Sequence, residues 1–195
     1  MGIGAVGQTR TRRSHERLVA GCWLLALPLF LVAAASWGNA LSASSLVASM
    51  GLGSLAASDV SRRQLPRGTV RLVSLAVMSA LLATSVIDND WGPARRAGLA
   101  AMVSTAVVGA LWCSMPDYFA FGDVKVTVIA TAAAAASSWT AVVVMIVAAV
   151  LMGCVHALTV RVRRSRSPSP PVGQRAGVPF VPGLALGFAL GVALW

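Results

Sequence analysis

The sequence predicts an all-α, polytopic membrane protein with about seven transmembrane helices, and three observations carry that reading. The 195 residues are 57% hydrophobic and 11% charged, with a mean hydropathy of +0.77. That is more apolar surface than a soluble core of this size can hide. The apolar residues fall in uncharged stretches long enough to cross a hydrocarbon core of roughly 30 Å at about 1.5 Å per residue. The 16 Lys and Arg residues, which bring the net charge to +10, lie mostly in the short segments between those stretches. In a soluble domain such a charge would point to nucleic acid. Distributed in this way it orients a membrane protein in a lipid bilayer and implies no nucleic-acid partner.

Taken in order, residues 1–17 are a basic segment with Arg10, Arg12, Arg13 and Arg17, and residues 18–195 form the membrane domain. The first span is expected at 18–37. A basic prefix and the small residues Ala33-Ala34-Ala35-Ser36 also fit a signal peptide, but twenty residues suffice for a crossing, and Pro28 can kink a membrane helix without preventing it. The second span, 41–58, is rich in Ser, Ala and Gly, which favours a place inside the bundle. It ends at Asp59, and Pro66 stops any helix from running through the polar loop that follows. The third span is 70–87, with Arg71 able to snorkel to the interface.

Asp88-Asn89-Asp90-Trp91-Gly92-Pro93 is a turn-rich connection with an interfacial tryptophan. A fourth span follows at 97–115. From Val126 to Val160 there is no Asp, Glu, Lys or Arg. These 35 residues would be about 52 Å long as one helix, too long for one crossing, so a break is expected near Ser137-Ser138-Trp139 and spans at 120–137 and 139–160. The basic, Ser/Pro-rich stretch after Val160 reads as a solvated loop. A seventh span, 178–195, follows Gly177 and carries Gly183, Gly187 and Gly191 near one helix face, which suits close packing.

Seven crossings with a cytoplasmic N-terminus put fourteen of the sixteen basic residues inside and leave only Arg95 and Arg96 outside, the orientation the positive-inside rule selects. Asp59 and Asp123 then lie at the same, cytoplasmic, edge of a cell inner or plasma membrane. Asp88 and Asp90 lie at the opposite edge. An ionisable residue at such a border is a candidate functional residue. Cys22, Cys113 and Cys154 sit in apolar stretches with no C-x-x-C pair, so no zinc site or disulfide framework is expected, and they read as small buried hydrophobes. No Ser-His or Cys-His nucleophile stands out: His15 lies in the basic segment, and His156 falls in the sixth span.

The stretch Phe121-Gly122-Asp123-Val124-Lys125 resembles the G-x-G-D-x-K motif of the type IV prepilin peptidases, membrane aspartic proteases that trim the leaders of pilins and pseudopilins. Asp59, followed by Arg62-Arg63-Gln64-Leu65-Pro66, is similar to that family's earlier motif of an Asp ahead of a basic, proline-containing loop. Val178-Pro179-Phe180-Val181-Pro182 resembles its late Pro-Phe-Gly-Pro segment. The matches come in the family's order over residues 41 to 195. Ala120 and Val181 stand where the family has glycine. The cysteine-rich domain of the larger members is missing, so their methyltransferase activity is not implied.

The resemblance implies an aspartic endopeptidase with Asp59 and Asp123 as the catalytic pair, no cofactor, and a prepilin-like or pseudopilin-like substrate in type IV pilus assembly or protein secretion. Gly122, Lys125, Pro66, Pro179, Phe180 and Pro182 are supporting positions. Lys125 would orient substrate or anchor the helix at the interface. The alternative is a non-catalytic membrane subunit or small transporter that keeps the fold. Helix dipoles give the expected roles within the pair: Asp123, near a helix start, as ionised base and Asp59, beyond a helix end, as protonated partner, with Lys125 reinforcing the order.

Overall fold

The computed structural model describes residues 43–62, 65–114, 121–165 and 181–194. The expected first span and the residues before it lie outside this set. The described residues form six helices and no strands: α1 (Ala43–Arg62), α2 (Arg67–Ile87), α3 (Gly92–Ser114), α4 (Phe121–Ser137), α5 (Trp139–Ser165) and α6 (Val181–Ala193). Two of them, α2 and α3, are long and apolar enough to cross a membrane. Only 28% and 11% of their most apolar windows are buried, so neither is the core helix of a soluble domain.

Each connection has a local cause. Pro66, extended at φ −62° and ψ 125°, stands at the head of α2, where its missing N–H costs nothing. At the other end of α2, the Asn89 N–H bonds the Val86 carbonyl at 3.4 Å and the Asp90 N–H bonds the Ser85 carbonyl at 3.1 Å. This is a Schellman cap with Asn89 in the left-handed region at φ 51°, a conformation asparagine tolerates. Asp90 Oδ1 then accepts from the Gly92 N–H at 2.8 Å and starts α3. The apolar run expected to break near Ser138 does so there. The Ala141 N–H donates to Ser138 Oγ at 3.0 Å, which caps α5.

α4 is the central helix. It touches every other described helix, and its residues from Ile129 to Ala136 are all buried. Its run of five alanines lets neighbouring backbones close in. α1 also packs inside, with Ser45, Ala48, Ser49, Leu52 and Leu55 buried. α5 and α6 run antiparallel through the glycines: a Cβ on Gly187 would lie 2.5 Å from the Met145 carbonyl oxygen, and one on Gly191 2.5 Å from that of Ala141. Their partners step back by four residues as the glycines step forward by four. The outer faces of α2, α3 and α5 are apolar and open, with Leu75 and Met102 69% and 68% exposed.

Two readings of the sequence are corrected. Cys113 and Cys154 are exposed on the outer faces of α3 and α5, not buried; an uncharged stretch fixes depth along a helix but not which side faces its neighbours. α1 continues to Arg62, which puts Asp59 inside its last turn rather than beyond its end. Nothing between Ser58 and Arg62 breaks a helix, and a basic residue at the C-terminus favours it.

Candidate functional site

Asp59 sits in the last turn of α1 and Asp123 in the first turn of α4, and two contacts fix how these helices lie. Near one end, Ser45 Oγ of α1 is 3.4 Å from Ser137 Oγ of α4. Near the other, Leu65, just past α1, packs on Gly122, where an added Cβ would lie 3.0 Å from Leu65 Cδ1. The helices are therefore antiparallel, with the end of α1 beside the start of α4.

The spacing from the serine contact is the same on both helices. Asp59 is fourteen residues after Ser45, and Asp123 is fourteen residues before Ser137. Each acid thus lies about 21 Å along its helix from the serine pair, at one common level. Fourteen residues are two heptads, so each acid departs by only about 40° from the stripe on which its serine meets the other helix. Both aspartates are half-buried, and Asp59 Oδ2 is shielded from solvent. Two carboxylates at one level on facing stripes can share a water or a proton, which one carboxylate cannot do alone.

The supporting positions divide. Gly122 keeps its lack of a side chain for Leu65, so the loop after α1 closes onto the start of α4. Pro66 heads α2 at this same end. Pro182 lies in the first turn of α6, where proline fits, and is buried. Pro179 and Phe180 lie outside the described residues, as does the side chain of His156. Lys125 is exposed, with Nζ 4.5 Å from the centroid of the Phe121 ring, which in turn meets Trp112 at 5.3 Å. Residues two apart on a helix do not share a face. The lysine therefore belongs to an aromatic rim at the start of α4.

Asp88 caps α2 at the opposite end of that helix from Pro66, so a pairing of Asp88 with Asp123 would have to span the bundle. Sequence reading passed over Leu65, which the proline-containing loop next to Asp59 could have flagged. It also left Arg96 as a loop charge. Its guanidinium in fact reaches the Ala135 and Ala136 carbonyls at 3.1 and 2.9 Å and caps the end of α4. Among the described residues no group of three or more His, Cys, Asp or Glu side chains is placed to hold a metal. Compared with family models, with curated proteins and with solved structures, the chain matches none.

Proposed function

We propose that this chain is a multi-pass membrane aspartic endopeptidase that cleaves the leaders of prepilin-like or pseudopilin-like substrates at the cytoplasmic membrane face. The observation that carries the reading is the common level of Asp59 and Asp123 on facing helices, at the end of the bundle that also holds the motif glycine and the proline loop. The ionised carboxylate takes a proton from a water as that water attacks the peptide carbonyl. The protonated carboxylate supports the developing oxyanion and later donates its proton to the leaving nitrogen.

The membrane part of the proposal rests on where charge lies. Between Arg71 and Asp88 the chain carries no charge for sixteen residues, about 25 Å of helix. Asp59, Arg67, Arg71, Asp123 and Lys125 gather at one end, and Asp88, Asp90, Arg95 and Arg96 at the other. Trp91 and Trp139, each 46% exposed, stand at that second end, where interfacial tryptophans belong. With seven spans, the orientation that the positive-inside rule selects puts the N-terminus and the proposed active site on the cytoplasmic side.

The deciding experiment is co-expression of the full chain with candidate prepilins, read as a mobility shift on a gel. Leader removal that requires both Asp59 and Asp123 supports the reading. Processing by a variant lacking either carboxylate, or none by the native chain on any prepilin tested, moves it to a non-catalytic membrane subunit or small transporter.

A further inference from the structure

A second polar feature lies at the end of the bundle away from Asp59 and Asp123. A cavity of about 170 Å³ opens there between α1, α2, α4 and α6, and its polar lining includes Ser45, Thr84, Ser85, Asp88, Asp90 and Ser137. These residues come from three helices and one turn, so no short motif announces them. The aspartates stand exposed at the mouth, whereas Ser85 is 2% exposed.

Ser85 Oγ has no hydrogen-bond partner among the described residues. A buried hydroxyl left in that state costs about as much as a lost hydrogen bond, so something polar is expected to reach it. The lining narrows what that is. Every lining side chain that is polar offers oxygen, two of them as carboxylates. The Thr84 hydroxyl already donates to the Ala80 and Leu81 carbonyls, each at 3.0 Å, and so presents only lone pairs to the cavity. The C-terminal ends of α2, α4 and α6 meet the first turns of α1 and α3 here, so the helix dipoles largely offset one another and the two carboxylates set the sign of the site. An anion would be repelled, and a soft metal would find no sulfur or nitrogen.

Among the described residues, Arg96 is a positive group beside Asp90. Its guanidinium is held by the carbonyls at the end of α4, and a Cβ on Gly92 would lie 3.0 Å from Asp90 Oδ1 and 3.6 Å from Arg96 Nη1. Arg96 therefore lies near enough to Asp90 to offset part of its charge. The volume exceeds what one bare ion needs and leaves room for water.

We propose that this cavity binds a small hard cation, Na⁺ or Ca²⁺, which keeps part of its water and is held by Asp88 and Asp90 at the mouth and by serine hydroxyls, Ser85 among them, within. The site is distinct from the proposed catalytic pair and holds whether or not the chain is a peptidase. Its donors are oxygens, which lie outside the cysteine spacing that argued against zinc.

The test uses the purified full chain in detergent. Thermal unfolding is followed in NaCl and in CaCl₂ against choline chloride at matched ionic strength. A ligand of the folded state at about a hundredfold excess over its Kd should raise the midpoint by roughly 5–10 °C. Asp88→Asn combined with Asp90→Asn should abolish the shift, and Ser85→Ala should weaken binding several-fold. Should the substituted proteins not fold, equilibrium dialysis of the native chain with ²²Na⁺ or ⁴⁵Ca²⁺ decides instead, with about one ion per chain expected. The Na⁺ and Ca²⁺ arms identify the ion. A midpoint indifferent to both, a shift that survives loss of both carboxylates, or dialysis with no stoichiometric uptake would each overturn the proposal and leave a cavity filled by water alone.

Discussion

At one end of the bundle Asp59 and Asp123 come from two helices that pack against each other and are half-buried; at the other, Asp88 and Asp90 come from a single turn and are exposed. The residue type is the same at both ends. What differs is the backbone beneath it. Asp88 and Asp90 are tied to the turn itself, Asp88 as the cap of α2 and Asp90 through its bond to the Gly92 N–H. Asp59 and Asp123 lie within regular helix, in the last turn of α1 and the first turn of α4. They stand at matched distances from one serine contact, on helices whose separation is fixed by small residues. Carboxylates on two different helices can share a proton only when the packing of those helices sets their spacing.

The largest effect expected separates the two pairs directly. Asp59→Asn and Asp123→Asn should each lower leader cleavage by about 10²–10⁴-fold, the usual contribution of a general acid or base, without loss of the protein from the membrane fraction. Asp88→Asn and Asp90→Asn should leave cleavage nearly intact. Equal loss at both ends would end the distinction. Sidedness gives a second break point: single cysteines at Arg63, Ser165 and Asn89, on a background without the three native ones, should label from the cytoplasm for the first two and from outside for the third. Labelling of Asn89 and Arg63 from one side would undo both the seven-span topology and the pairing.

Packing supplies a smaller effect. Gly187→Ala would press a methyl group on the Met145 backbone, which cannot retreat as a side chain can, and should cost about 1–3 kcal/mol of stability. Gly109→Ala, on open α3 surface, meets nothing within 4 Å and should be neutral or gain up to about 1 kcal/mol. Unfolding midpoints in detergent compare the two.

These contrasts mark what the sequence could tell. The all-helical architecture was legible because 35 uncharged residues cannot be one crossing and Ser138 offers a cap where the break is needed. The four-residue glycine spacing likewise announced close packing on one face of α6, though not that α5 is the partner. Helix ends were less legible: the apolar stretch stops at Ser58 whereas the helix stops at Arg62, since hydrogen bonding and not hydropathy ends a helix. The faces of α3 and α5 were hidden, because a helix apolar all round gives no stripe to read, and Cys113 and Cys154 were misplaced for that reason. Of the candidate site, the two acids and their common end could be argued from charge alone. The closure of Leu65 on Gly122 and the assembly of Ser45, Ser85 and Ser137 around one cavity depend on which helices meet, and small polar residues inside apolar runs carry no mark of their partners.

The cap on α4 tests whether the second end is structural as well as polar. Arg96→Gln removes two charge-assisted bonds to helix-end carbonyls and should cost about 1.5–3 kcal/mol. Its exposed neighbour gives the control: Arg95→Gln should stay within about 0.5 kcal/mol. If the two substitutions shift the unfolding midpoint alike, the guanidinium contact contributes nothing.

Lys125 carries the smallest expected effect and sharpens the comparison from the other side. It is the charge nearest in sequence to Asp123, and sequence reading gave it a part in keeping that acid ionised. In the structure its ammonium lies over Phe121 at 4.5 Å, on the exposed side of α4, next to Trp112. An exposed cation–π contact is worth about 0.5–1 kcal/mol, and interaction with a carboxylate on another helix face is screened by solvent. Lys125→Met should therefore leave the pH dependence of cleavage unchanged and lower stability by no more than about 1 kcal/mol, the value of the aromatic contact. Phe121→Leu, which removes the ring but not the charge, should cost a similar amount. A displaced pH profile in the lysine variant alone would return Lys125 to the catalytic machinery. A loss of cleavage shared by both variants would instead make the Trp112–Phe121–Lys125 rim a surface that receives the substrate.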